Sequence, residues 1–512
     1  MGNNKQPKRK SRSRGKGKGK SKTKTKTKVD RSVQVCDARG FRLKPYQKEP
    51  IYLLKSGQKK FLINFPTGTG KTITAINAAE WLRRHHHVKN IYVIAPKSLV
   101  TNFRKGFRVC YNKNKVPSAY KLFTYDKFAR SPPSIPSEGS LVIVDEAHNL
   151  RNRKAKRSHI IADVAKNAEY VILLTATPFI NSPADIANLL YMLQDADAPN
   201  EIPLDPNTFL ARFVENPHGA RNYKEMVRNK IITYKPRHST KPQVTTHTIG
   251  VMLAPQQVDT IRRIQSRDLS QRDVQNLEAL FHSNNATDIN VQGKNMARYN
   301  AFLTRVRQAS NVLTNIDELK KLTPGSRRTP LYERCSPKME RLVYTVVRGP
   351  KPAIIYSAFR GTGVEMVKRC LIKAGVPPDQ VYIFTGHLTA KKRQEIVDKY
   401  NHGQIKYLLI TKAGSEGISL RGTRQIHVLE PDWNVENIQQ VIGRGVRINS
   451  HTFLPPKERK VDVYYWLGIV PWEDEMNIIT PDPYIYKIAM RKQDLNKKFQ
   501  MYNQEASYHH SE

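Results

Sequence analysis

The chain has 512 residues, enough for about three domains, and 87 Lys and Arg against 43 Asp and Glu leave a formal net charge of +44. Hydrophobic residues at 39% suffice for ordinary cores, and the absence of an apolar run of about 18 residues or an N-terminal signal core argues against secretion and membrane spanning. The four cysteines, Cys36, Cys110, Cys335 and Cys370, form no CxxC pair and have no zinc spacing, which argues against a disulfide framework and for a soluble protein in a reducing, intracellular setting. A positive surplus of this size calls for a polyanion, and nucleic acid is the expected partner.

In chain order, the first 28 residues hold 13 Lys and Arg, no acid and nothing apolar after Met1. Such a segment cannot bury enough surface to order itself, so residues 1–32 are expected to be a disordered basic arm for nucleic acid or nuclear import. Short apolar runs at 61–65, 91–95, 141–144 and 171–174 read as buried parallel strands, with a helix at 72–84 after the first. The rhythm returns at 353–356, 407–410 and 426–429, with a helix at 390–401. This predicts one α/β domain over 33–240, a linker with a helical insertion over 241–340, a second α/β domain over 341–490 and a polar tail over 491–512.

Directly after the first strand stands Phe65-Pro-Thr-Gly-Thr-Gly-Lys-Thr72. Glycines let backbone amides curl around phosphates at a helix N-terminus, so Thr67, Gly68, Thr69 and Gly70 are assigned to an ATP cradle. Lys71 is assigned to the β- and γ-phosphates and the Thr72 hydroxyl to Mg²⁺. The run 141–144 leads into Asp145-Glu-Ala-His148, whose paired acids at a strand end suit metal binding by Asp145 and proton abstraction from water by Glu146. Further on, Gln440-Val-Ile-Gly-Arg-Gly-Val-Arg447 spaces Arg444 and Arg447 three apart, as on one helix face. From there they could neutralise charge on a γ-phosphate held by the other domain.

The order of these motifs resembles that of the superfamily 2 helicases and translocases over roughly residues 40–470. The resemblance implies two tandem RecA-like parallel-sheet domains. It assigns Gln47 of Leu43-Lys-Pro-Tyr-Gln47 to the adenine, and Lys97 and Ser98 of Ala95-Pro-Lys-Ser98 to nucleic acid. It assigns His148, Thr175 and Thr177 to coupling of hydrolysis with domain movement, Ser357 and Thr411 to the nucleic-acid strand, Gly417 to the nucleotide and Gln440 to the catalytic set. Asn149-Leu-Arg-Asn152, Thr177-Pro-Phe-Ile-Asn181, Ser336-Pro-Lys338 and Pro431-Asp-Trp-Asn434 resemble the Swi/Snf-type group, particularly its relatives in large DNA viruses. Val435 and Asn449-Ser450 depart from nucleosome remodellers and favour the viral branch. The implied activity is ATP-driven DNA translocation in viral transcription, alongside a viral RNA polymerase, in a nucleus, host cell or virion. An RNA helicase and a non-catalytic packaging protein on the same fold are the alternatives.

Deleting residues 1–28 should weaken nucleic-acid binding at low salt, flatten the slope of log K against log salt, and leave ATP turnover at saturating polymer unchanged. Filter binding over a salt series checks this, and an unchanged slope would assign the arm to another task.

Overall fold

The computed structural model describes residues 32–508, apart from 37, 39–40, 98, 113–115, 200, 236–239, 283–295, 314–334, 387, 412–417, 433–434 and 471–477. Residues 1–31 of the expected basic arm, Ser98 and Gly417 therefore lie outside the described residues.

Two six-stranded sheets, each wholly parallel, carry the fold. The first contains β1 (Lys60–Asn64), β2 (Asn90–Ala95), β3 (Tyr120–Thr124), β4 (Ser140–Asp145), β5 (Tyr170–Thr175) and β6 (Ile231–Thr233) in the spatial order β3-β2-β4-β5-β1-β6. The second contains β7 (Gln243–Met252), β8 (Ala353–Tyr356), β9 (Val381–Phe384), β10 (Tyr407–Ile410), β11 (Gln425–Val428) and β12 (Lys460–Ile469) in the order β7-β12-β11-β8-β10-β9. The central strands are buried along their whole length, which is why their sequences are continuous apolar runs rather than alternating ones. In the first sheet Leu62, Val144 and Leu173 face one apolar layer and Phe61, Ile143 and Leu174 the other.

The seven strands expected from the sequence are β1, β2, β4, β5, β8, β10 and β11, and the helices expected at 72–84 and 390–401 are Lys71–His85 and Ala390–Asn401. The segment 243–252, placed in the linker by its polar sequence, is instead the edge strand β7, paired along ten residues with β12. An edge strand has one exposed border and therefore needs no apolar run. Behind it, Pro255–Asp268, Gln271–His282 and Met296–Asn311 form the expected helical insertion around Ile261, Ile264, Phe281, Phe302 and Leu303.

The stretch from 491, read as a polar tail, is a helix. Pro481–Glu505 starts against the second sheet, through Tyr486, and the insertion, through Ile488, and ends in the core of the first, where Phe499 is buried. Its far end donates and accepts across to the first sheet's elements: Tyr223 Oη donates to Asn503 Oδ1 at 2.7 Å, and Tyr508 N–H donates to Ile231 O at 3.1 Å. Polar composition misleads here because the helix buries a narrow stripe on two separate bodies and exposes the rest.

The cysteine expectation is also overturned. Cys36 is bonded to Cys110 and Cys335 to Cys370, with Cα–Cα distances of 4.6 and 6.1 Å, pairs that are 74 and 35 residues apart in the chain and meet only in the fold.

At the start of the C-terminal helix Asp482 and Lys338 form an ion pair at 2.7 Å with both side chains essentially without solvent contact. Lys338 Nζ also donates to Asn311 Oδ1 at 3.2 Å, and Gly468 N–H donates to Asp482 Oδ2 at 2.9 Å. Asp482→Ala should cost about 3–5 kcal/mol by leaving a buried ammonium unpaired, whereas Lys338→Met with Asp482→Leu should restore most of that loss. Urea denaturation of the full chain measures both.

Candidate ATP site

Register decides where the sequence motifs meet. Asn64 of β1 lies beside Thr175 of β5, and Asp145 of β4 lies beside Leu174 of β5, so the ends of β1, β5 and β4 are level. The turn after β1 and the paired acids after β4 thus open on the same edge, separated by one strand.

The turn after β1 depends on two glycines in left-handed conformations, Gly68 at φ +83 and Gly70 at φ +89. Gly70 serves a second purpose: a Cβ there would come within 2.5 Å of Gln47 Nε2. Gln47 uses the space to donate from Nε2 to Thr69 O at 3.1 Å, and its Oε1 accepts from Lys44 N–H at 2.9 Å. Tyr46 Oη donates to the same Thr69 O at 2.8 Å, while its ring stacks on Tyr234 at 3.5 Å and meets Phe65 edge-on at 5.2 Å. Burial, with Tyr234 alongside, pushes the Tyr46 phenol up to about 12.

Lys71 opens the helix Lys71–His85, whose first turn contains no acid and whose last turn carries Arg83, Arg84 and His85. The helix dipole is therefore left uncompensated at its N-terminus and satisfied at its C-terminus, which suits an anion at the open end. Lys71 is 8% exposed and donates to Phe65 O at 3.1 Å. Burial lowers its pKa, and the negative charges of Glu146 and Asp145 oppose that shift.

Asp145 is 5% exposed. Burial above all, then the neighbouring Glu146 charge, pushes its carboxyl up to about 6, against the pull of Lys71 and of the Glu146 N–H that donates to Oδ1 at 3.0 Å. Glu146 adopts a left-handed backbone, φ 52 and ψ 49. His148 Nδ1 lies 2.9 Å from Thr175 Oγ1 and 3.3 Å from Glu146 Oε2. Burial first, then Arg151 and Lys71, lowers this imidazole to about 4, so it is neutral near pH 7 and bridges Glu146 and Thr175 without charge. Thr175 Oγ1 in turn accepts from Thr177 N–H at 3.1 Å. The residues expected to couple hydrolysis to movement thus form one connected chain with Glu146.

The donors fit the groups that the sequence implies. Thr72 and Asp145 supply hard oxygen ligands, and no group of three or more His, Cys, Asp or Glu stands ready for a metal among the described residues. Hard oxygen donors of this kind would suit a Mg²⁺ ion brought in with nucleotide phosphates.

The second sheet's residues are placed less simply. Arg444 lies in the last turn of Val435–Gly445, but that helix ends before Arg447, so the two do not share a helical face as expected. Gly445 ends it against Thr423 and Ile354, and Arg447 Nε donates to Gly443 O at 3.0 Å. Gln440 is half-buried on the same helix. Ser357, expected on the nucleic acid, has no solvent contact and donates to Glu430 Oε1 at 2.8 Å. Thr411 is buried too, its N–H donating to Phe384 O at 3.3 Å. Both follow the last residue of a central strand, where the sheet and its helices still cover the side chain. Lys97 is exposed at the end of β2.

Sequence reasoning missed four contributors. Tyr125 and Tyr46 approach through backbone carbonyls, which no motif records. Asp185 accepts from the N–H groups of Ile180, Asn181 and Ser182, holding the loop that follows Thr177. Asn496 of the C-terminal helix donates to Ile180 O at 3.2 Å in that same loop.

A phosphate loop and paired acids on one parallel sheet, joined to a second sheet bearing an arginine helix, define a nucleic-acid-dependent ATPase of helicase type. Residues 122–311 match the SNF2-related domain, residues 337–449 the helicase conserved C-terminal domain and residues 40–180 the res subunit of type III restriction enzymes. A candidate ATP-dependent RNA helicase of Acanthamoeba polyphaga mimivirus is 31% identical over 471 residues, covering 89% of this chain and 95% of that protein. A termination factor NPH-I homolog of African swine fever virus is 25% identical over 550 residues, covering 88% and 76%. Among solved structures, the Sulfolobus solfataricus SWI2/SNF2 ATPase core in complex with dsDNA is 16% identical, with a TM-score of 0.35 over 92% of this chain and 98% of that one. The chain belongs to the superfamily 2 helicases with an SNF2-related domain, the family that includes the viral NPH-I proteins and the mimivirus helicases. No helix among the described residues is long and apolar enough to cross a membrane.

Because the charged form of Asp145 is disfavoured by burial, Asp145→Asn should raise the melting temperature of the nucleotide-free protein at pH 7. The native carboxyl binds its proton up to about pH 6, well above the unfolded value, so wild type loses stability as pH rises through that window. The gain from Asp145→Asn should therefore shrink as pH falls toward 4, as melting curves over a pH series would register.

Proposed function

We propose that the protein is an ATP-driven translocase on duplex DNA that serves viral transcription. The convergence of Lys71, Asp145 and Glu146 on one level strand edge carries the catalytic half of the proposal. In this reading the loop from Thr67 to Gly70 and Lys71 hold the triphosphate, while Gln47 reads the base. Thr72 and Asp145 hold Mg²⁺, which shields phosphate charge when bound, and Gly417 adds to the nucleotide pocket. Glu146 takes a proton from the attacking water, with neutral His148 fixing the carboxylate and passing its position to Thr175 and Thr177. Arg444, Arg447 and Gln440 serve from the second domain, and Lys97 and Ser98 contact the polymer. Ser357 and Thr411 act on the strand through the loops they anchor rather than by direct contact.

DNA and transcription are favoured by the match to the SNF2-related domain and by the likeness to a viral protein named as a termination factor. A viral RNA polymerase or transcription complex is the corresponding partner. An RNA substrate is the second reading, favoured by the name of the mimivirus relative.

ATP turnover measured in parallel with no polymer, duplex DNA, single-stranded DNA and RNA tests the substrate, with duplex DNA expected to stimulate most. Stimulation by RNA alone would replace the DNA reading. In the same assay Lys71→Ala and Glu146→Gln should each lower turnover by at least about 100-fold. Glu146→Gln should still retain ATP, whereas Lys71→Ala should lose much of its nucleotide affinity, and near wild-type turnover in either variant removes the motor reading.

A further inference from the structure

The left-handed backbone of Glu146 is uncommon for a residue with a side chain, and something must hold it. In this turn the carbonyls of Asp145 and Glu146 both approach a single hydroxyl: Tyr125 Oη lies 2.5 Å from Asp145 O and 2.9 Å from Glu146 O. A phenol has one proton to donate, so it bridges the two acceptors. The carbonyl of Glu146 also receives the backbone N–H of Asn149 at 3.0 Å and its Nδ2 at 3.1 Å. Tyr125 is itself fixed. It opens the short helix Tyr125–Arg130, capped by Thr124, whose Oγ1 accepts from Lys127 N–H at 3.2 Å. Thr124 pairs with Ala95 at the end of β2, level with the acids of β4. The ring is 5% exposed, packed in the apolar layer with Phe128, Ala147 and Leu150, and Arg157 stands over it at 5.5 Å.

We propose that Tyr125 is a positioning residue for ATP hydrolysis: its hydroxyl locks the two carbonyls of the Asp145-Glu146 turn and thereby aims the Glu146 carboxylate. This rests on the reading of Glu146 as the group that takes the proton from water. The hydroxyl bonds the backbone carbonyls rather than the carboxylates of Asp145 and Glu146. Its loss lets the turn relax toward ordinary backbone angles and swings a carboxylate that hydrolysis needs but ATP binding does not. The effect is therefore confined to the rate of the chemical step.

Tyr125→Phe keeps the ring, its packing and the Arg157 contact, and removes only the hydroxyl. Expected is a fall of about 10-fold or more in kcat at saturating nucleic acid, with KM for ATP and equilibrium ATP binding within about twofold of wild type. A kcat equal to wild type overturns the proposal by leaving Tyr125 a packing residue, and a fall in ATP affinity matching the fall in kcat overturns it by giving the hydroxyl a part in nucleotide binding. Should Tyr125→Phe fail to fold, Asn149→Ala removes the other side-chain donor to Glu146 O and should give the same split between kcat and KM; its absence overturns the locked turn. Glu146→Gln run alongside separates the two claims. If Glu146→Gln turns over ATP freely, the reading of Glu146 falls; if it is inactive while Tyr125→Phe is unimpaired, only the role of Tyr125 falls.

Discussion

Parallel pairing of β1 with β5 and of β5 with β4 is the constraint on which the site depends. A parallel strand must end at the same edge as its neighbours, and each loop that leaves that edge must turn over the top of the sheet to reach a helix. The phosphate loop, the paired acids and Thr175 are far apart in sequence and share this edge because no other arrangement of three parallel strands is open to them. A slip of two residues between β4 and β5 would carry His148 away from Thr175 and break the path from Glu146 through His148 to the loop beyond β5.

Crowding charge onto a dry edge has a cost that the surroundings offset in part. Lys71 and Asp145 are each driven toward neutrality by burial and each held toward the charged form by the other. In the proposed reading a nucleotide phosphate would supply the anion that Lys71 lacks and a divalent cation the charge that Asp145 lacks. His148 resolves the same problem by staying neutral, and so it links Glu146 to Thr175 without adding a third buried charge.

The two sheets are tied by the C-terminal helix, anchored at one end by the buried pair of Lys338 with Asp482 and at the other by Phe499, Asn503 and Tyr508. Between these ends, Asn496 bonds the loop following Thr177, and half-buried Lys492 feels the charge of Asp185, which braces that loop. Any movement of the second sheet relative to the first must therefore bend this helix or slide one of its ends. A strap of this kind puts the loop beside the site in mechanical contact with the distant domain.

By itself the sequence determined the local chemistry. Glycines before Lys71, apolar runs of strand length and two acids at the end of one of them are patterns whose physics is short-ranged, so seven of the strands were legible from spacing alone, and the glycine turn and the paired acids fall at the ends of two of them. Its limits lay wherever a partner is distant in the chain. β7 is polar because only one border is paired, the C-terminal helix is polar because it buries a narrow stripe against two bodies, and Cys36 finds Cys110 only through the crossover between them. Ser357, expected on the nucleic acid, instead donates a hydrogen bond to Glu430, 73 residues on. Only tertiary structure decided these, because a buried polar group is defined by the partner that satisfies it, and that partner is set by the packing of the whole chain.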